Sequence, residues 1–218
     1  MAAPTLHPGF GSGIRLWLLR HAEVDPAWRG RAYGDLDVPL SDEGRAATAE
    51  LARDFEGARL AHVYSSPLAR AAELGRAVAA AAGAPLSLDP RLREIFRGSW
   101  QGRPIDELDT LDPAGVAAFY ADPWAFKSHG GESDEDIHAR AWPAVETAAR
   151  LHPGQTVVFA THYNVIRVLA THLLGLTPAR SFAFRVDPGR ATLFLDGEQG
   201  WTLRVSNALR PRQAGIGA

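Results

Sequence analysis

The sequence predicts an α/β fold in which a mainly parallel sheet is covered by helices on both faces. Three observations carry that prediction. Short apolar runs recur at Ile14 to Leu19, Leu60 to Tyr64 and Thr156 to Ala160, the lengths and composition of strands buried on both faces. Helical stretches with start and stop signals alternate with them. The runs also lead into Arg20-His21, Ser65-Ser66-Pro67 and Thr161-His162, and the carboxyl edge of such a sheet is where open α/β folds bind ligands.

Each element follows in order. Residues 1–13, rich in Gly and Pro, read as a flexible leader. After the first strand, Ser41 caps a helix whose first turn holds Asp42 and Glu43 and which runs to about Glu56, where Gly57 stops it. After the second strand, Pro67 is expected in the first turn of a helix that runs to about Ala82 and ends at Gly83. The stretch from Gly98 to about residue 130 is punctuated by Pro, Gly and Asp and carries Trp100, Phe119, Tyr120, Trp124 and Phe126. It reads as a small helical cap whose aromatics pack a core of their own rather than line a pocket. Ser133 with Asp136 forms a capping box that opens the next helix. The third strand runs through His162 into another helix, and Ala191 to Leu195 with Trp201 to Val205 flank a turn-rich segment as a hairpin. A flexible tail is expected over 209–218, leaving one domain over 14–208 with its cap at about 98–130.

Composition narrows the function. The 218 residues suit a single domain, and a net charge of −2 leaves no electrostatic footprint for nucleic acid or an anionic membrane. No apolar run is long enough to span a bilayer, and the N-terminus lacks the features of a signal peptide, so a cytoplasmic location is expected. The absence of cysteine removes disulfides, thiolate metal sites and cysteine nucleophiles. Lys127 is the only lysine, so any anion site must be built from arginine and histidine.

The strand ends supply such a site. Arg20, His21, Arg70, His162 and Glu94, brought to one edge, suit phosphoryl transfer. A neutral imidazole can attack phosphorus while guanidinium forks and the second imidazole hold the equatorial oxygens. Glu94 can give a proton to the leaving oxygen and later take one from water. Neighbouring arginine charge favours the neutral, attacking form of His21. Alone, either histidine reads as a buried structural imidazole, and Glu94 as an ion pair with Arg91 or Arg93. Arg140 and Arg167 read as scaffold ion pairs.

With these residues in view, the chain resembles the histidine phosphatase superfamily, the phosphoglycerate mutase-like group. Arg20-His21-Ala22-Glu23 is similar to the family's opening motif Arg-His-Gly-Glu. The blocks Gly30 to Gly44, Tyr64 to Ala71, Glu94 to Gly102, Gly130 to Ser133 and Thr161 to Arg167 follow in family order, so the resemblance spans about residues 14 to 205. It implies a Rossmann-like three-layer sandwich with a mainly parallel sheet and a small helical cap. It also implies a phosphohistidine on His21, an acid–base role for Glu94, and phosphoryl binding by Arg20, Arg70 and His162, without metal or other cofactor. Tyr33, Gly34, Tyr163 and Asn164 complete the expected substrate-binding set, the substrate being a small phosphate monoester. Mutases of the family carry a longer insertion after the acid motif; the 67 residues between Glu94 and His162 favour hydrolysis. The chain departs from the pattern at Ala22 in place of Gly, at Ala27 where many members have Asn, at His129 in place of Pro, and at Tyr163-Asn164 in place of two glycines. Ala27 and Tyr163 motivate the competing readings of a weak phospho-ligand binding module or, from the shared catalytic set, a mutase.

Overall fold

Leu16 and Leu18 alternate with Trp17 and Leu19, and all four are fully buried, as a strand covered on both faces requires. In the computed structural model, which describes residues 9–214, these residues lie in β1 (Arg15–Arg20) at the heart of a six-stranded sheet. The other strands are β2 (Leu60–Ser65), β3 (Leu86–Leu88), β4 (Thr156–Thr161), β5 (Ala191–Gly197) and β6 (Gly200–Ala208), in the order β3-β2-β4-β1-β5-β6. The first four run parallel, and β5 and β6 close one side as an antiparallel hairpin.

The helices are α1 (Asp42–Arg53), α2 (Ala69–Ala82), α3 (Ile105–Leu111), α4 (Pro113–Ala121), α5 (Asp134–Leu151) and α6 (Tyr163–Leu173). Trp17, Leu19, Val158 and Ala160 pack against Leu51 of α1, Phe55 in the turn that follows it, and Leu74 and Val78 of α2. On the other face, Leu16, Leu18, Val157 and Phe159 meet Ile137, Ala141 and Val145 of α5 and Ile166 and Leu169 of α6. The result is the three-layer α/β sandwich expected. Between the Glu94 loop and α5, the helices α3 and α4 surround a separate small core of Trp100, Leu108 and Phe126.

Local signals explain most boundaries. Ser41 Oγ accepts the Gly44 amide at the head of α1, and Ser133 and Asp136 form the reciprocal capping box of α5. Helix α2 ends on Gly83 with φ of 64°, a left-handed cap that favours glycine. Its start differs from expectation: Pro67 stands before the helix, which opens at Ala69 after the extended Leu68. The reason lies in the strand exit, where the Ser66 amide donates to the Ala160 carbonyl and Ser66 Oγ accepts the Leu68 amide. The short β3 carried no readable pattern, and it exists through pairing with Val63, Tyr64 and Ser65.

The expected leader and tail lie partly outside the described residues. Of their described parts, Ser12 donates its amide and hydroxyl to Asp196 Oδ2, and residues 211–214 form a short 3-10 turn. No described helix is long and apolar enough to cross a membrane.

Candidate active site

Parallel pairing places Arg20 of β1 directly beside Thr161 of β4, so His21 and His162 leave adjacent strands at the same edge. Their ring centroids are 5.1 Å apart. Both rings are buried, with exposures of 2% and 0%. His21 Nδ1 donates to its neighbour's carbonyl, Ala22 O, at 2.7 Å, which leaves the Nε2 lone pair facing Arg70. Burial, then Arg70, then Arg20 push the His21 pKa well below the ordinary imidazole value. The ring is therefore neutral near pH 7.

Arg70, in the first turn of α2, is fully buried, and each of its three side-chain nitrogens donates one hydrogen bond, which leaves two of its five N–H groups for a ligand. Its Nη1 and Nη2 donate to Leu36 O at 2.7 Å and Gly34 O at 2.8 Å, and its Nε reaches His21 Nε2 at 3.3 Å. Gly34 makes that loop possible: its φ is +47°, and a Cβ there would stand 2.5 Å from the Ile95 carbonyl behind Glu94. Arg20 donates Nη1 to Val186 O at 2.6 Å, stacks on Tyr163 and hydrogen-bonds Tyr33, while its buried Nε has no partner among the described residues.

His162 caps the start of α6 with its backbone in an extended conformation. Its Nε2 meets Ser66 Oγ at 2.7 Å, and its buried Nδ1 has no partner among the described residues. Ser66 Oγ also accepts the Leu68 amide. When its hydroxyl donates to His162 Nε2, the proton of His162 stands on the unpartnered Nδ1. Burial and then Arg70 hold this imidazole neutral too.

Glu94 is 4% exposed and forms no ion pair within the described residues. Its Oε1 accepts the Ile95 amide at 2.9 Å and its Oε2 the Asn164 amide at 3.4 Å, which ties the side chain to its own loop and to the first turn of α6. The alternative partners are occupied elsewhere: Arg91 pairs with Asp89, and Arg93 with Glu132. Arg140 clamps Glu132 through Nε and Nη2 and donates to the backbone carbonyls of Arg91 and Glu94. It holds the acid loop from behind. Arg167 forms a fully buried two-pronged pair with Asp134. Both arginines are the scaffold pairs expected.

All nine expected site residues thus fall in one cluster. Beside it opens a cleft of about 620 Å³ lined by Arg20, Tyr33, Gly34, Glu94, Tyr163 and Asn164, while His21, Arg70 and His162 are buried next to these residues and do not line it. The cap aromatics differ from expectation. Trp100 and Phe119 pack the small core and also line the cleft, joined by Tyr120 and Phe182. A core of three buried residues is too small to cover both faces of its own rings. Trp124 faces a separate hollow beside α5 and α6. Ala27 is exposed outside the cleft, and Ala22 replaces glycine without positive φ.

Sequence reading missed Ser66 and Arg97. Ser66 was visible only as part of a turn signal, and Arg97 as one residue of the acid motif. Among the described residues no cluster of three or more His, Asp or Glu is arranged to hold a metal.

The sequence model of the histidine phosphatase superfamily (branch 1) matches residues 16–209. The chain is 30% identical over 174 residues to phosphoserine phosphatase 1 of Hydrogenobacter thermophilus, covering 80% of this chain and 82% of that one. It is 34% identical over 170 residues to glucosyl-3-phosphoglycerate phosphatase of Mycolicibacterium vanbaalenii, covering 74% of this chain and 75% of that one. A solved structure of the mycobacterial glucosyl-3-phosphoglycerate phosphatase in complex with VO3 superposes with a TM-score of 0.79 at 30% identity, over 89% of this chain and 98% of the other.

Proposed function

This chain belongs to the histidine phosphatase superfamily, branch 1, and from that premise we propose that it hydrolyses small phosphomonoesters through a phosphohistidine on His21. The observation that supports the residue roles is the neutral His21, held by Ala22 O and flanked by Arg20, Arg70 and His162, with Glu94 on the adjoining helix end. In the first step the Nε2 lone pair attacks phosphorus as the ester P–O bond breaks, and the acid form of Glu94 protonates the departing alkoxide. His21 then carries the phosphoryl group on Nε2 and keeps its Nδ1 proton on Ala22 O. In the second step water attacks phosphorus, the P–N bond breaks, and the Glu94 carboxylate takes the water proton. Phosphate leaves and both groups return to their starting forms.

The arginines meet charge that grows on the equatorial oxygens, and the Nδ1–H of His162 adds a neutral donor. Rigid donors suit this task, because they do not reorganise as the charge shifts. The two named relatives are phosphatases of phosphoserine and of glucosyl-3-phosphoglycerate, both small phosphate monoesters.

The test is hydrolysis of p-nitrophenyl phosphate in EDTA by the wild type and His21→Ala. We expect EDTA-resistant turnover that falls at least about 10³-fold in His21→Ala, with acid-stopped wild-type enzyme retaining phosphate on one histidine. Full activity of His21→Ala rejects the phosphohistidine. Loss of turnover in EDTA rejects metal independence. Tight vanadate binding without turnover supports the binding module instead, and interconversion of 2- and 3-phosphoglycerate without phosphate release supports a mutase.

A further inference from the structure

Arg97 lines this cleft beside Glu94 and has no part in the phosphoryl-transfer chemistry. It lies three residues beyond Glu94, on a loop anchored where Gln101 Oε1 accepts the Arg97 amide at 2.9 Å. Gln101 in turn donates to Asp35 at 2.6 Å. The next residue, Gly98, turns the chain with φ of +53°, and a Cβ there would strike the His129 carbonyl. The backbone of Arg97 is thus held as firmly as that of Glu94.

Its guanidinium lines the cleft beside Glu94, Tyr163 and Asn164. Nη2 donates to Asn164 Oδ1 at 3.2 Å, and the group lies 5.3 Å from the Phe119 ring centroid. Among the described residues it has no ion pair, and its Nε and Nη1 make no hydrogen bond to protein. Its neighbours are otherwise engaged. Arg70 has every side-chain nitrogen bonded, and the charge of Arg167 is matched by Asp134. Asn164 links the two functions, since its amide N–H meets Glu94 Oε2 while its Oδ1 meets Arg97. A leaving group protonated by Glu94 therefore passes close to Arg97.

Resting on the phosphatase reading above, we propose that Arg97 selects substrates whose alcohol carries a carboxylate within a few bonds of the ester oxygen. A planar fork with unspent donors matches a carboxylate, and one cation matches a single negative charge. A second phosphate would bring about two charges, and among the described lining residues the only cations beyond Arg20 and Arg97 are Arg29 and Arg31. Arg31 is tied to the Ala27 and Gly102 carbonyls, Arg29 is exposed, and Glu23 and Asp109 put two carboxylates into the same lining. The remaining walls, Trp100, Phe119, Tyr120 and Phe182, suit an uncharged remainder.

Two matched ester pairs test this: phosphoserine against phosphoethanolamine, and 3-phosphoglycerate against glycerol 3-phosphate. Each pair differs by the carboxylate. We expect wild-type kcat/KM to favour the acid in at least one pair by about tenfold or more. Arg97→Met should collapse that ratio about tenfold, chiefly through KM, and Arg97→Lys should restore part of it. Wild-type ratios near one in both pairs overturn the proposal, and they decide the matter even if Arg97→Met does not fold. Equal losses on both members of a pair also overturn it, because a role exercised through Glu94 alone does not discriminate between esters. Turnover of p-nitrophenyl phosphate with none of the four esters cleaved rejects the carboxylate selection and leaves the phosphatase reading standing. Failure on all five esters rejects both.

Discussion

Ser66 shows how a residue away from the reacting atoms can set their chemistry. Its hydroxyl stands between the Leu68 amide and His162 Nε2, where donating to Nε2 keeps the imidazole proton on Nδ1. Ser66→Ala should lower kcat about tenfold with little change in KM, because a fixed transition-state donor is lost; steady-state kinetics check this, and an unchanged kcat rules the role out. At the same scale, His21 and His162 are held neutral by burial and by arginine charge. Their NMR titration midpoints should therefore fall below the ordinary imidazole value, and a midpoint at or above it contradicts the environment described for them. For His21 the direction matters chemically, since protonation would remove the lone pair that attacks phosphorus.

At the scale of elements, the Arg167–Asp134 pair ties α6 to the start of α5. Arg167 also donates to Ser181 and lies against Phe182, so the pair reaches the turn that contributes a wall of the cleft. Arg167→Met should cost about 3–5 kcal/mol, because it strands the buried Asp134 carboxylate. Urea unfolding measures that loss, and a cost under about 1 kcal/mol would mean that Asp134 finds water or another partner. The helices and strands that frame the site were readable where one local rule dominated. The Ser41 cap, the Ser133 capping box and the buried runs of β1 and β4 are of that kind. The start of α2 departs from the local preference of Pro67 because a hydrogen bond from Ser66 to a neighbouring strand overrides it. The three residues of β3 carry too little pattern to be read at all, since their pairing partner decides their conformation.

For the whole molecule, the buried neutral imidazoles make stability depend on acidity. The pKa values of His21 and His162 are depressed in the fold, and that of His129 is lowered to about 4 by burial and by Arg97. Below the unfolded value near 6.5, the unfolded chain takes up protons that the folded chain refuses. This contribution is fully present above that value and is lost as pH falls toward the folded pKa values. Each fully buried histidine can add up to about 1.4 kcal/mol per pH unit to the slope. Urea midpoints should fall steadily between about pH 6.5 and about pH 5, and a flat profile there contradicts the depressed values.

Sequence alone sufficed for the α/β class and for Arg20, His21, Arg70, Glu94 and His162, while the order of the motifs and the further residues Tyr33, Gly34, Tyr163 and Asn164 followed from the family resemblance. The class rests on local facts: apolar continuity along a strand, capping chemistry, and the rule that parallel strands deliver their ends to one side. What tertiary structure alone decided was the state of each charge. Arg20, Arg70, Arg97, Arg140 and Arg167 look alike in a sequence. In the fold, Arg70 is anchored on the Leu36 and Gly34 carbonyls beside His21, Arg140 is spent on Glu132, Arg167 is neutralised by Asp134, and Arg97 lines the cleft without an ion pair among the described residues. The partners that make the difference lie tens of residues away along the chain, so only packing can assign them.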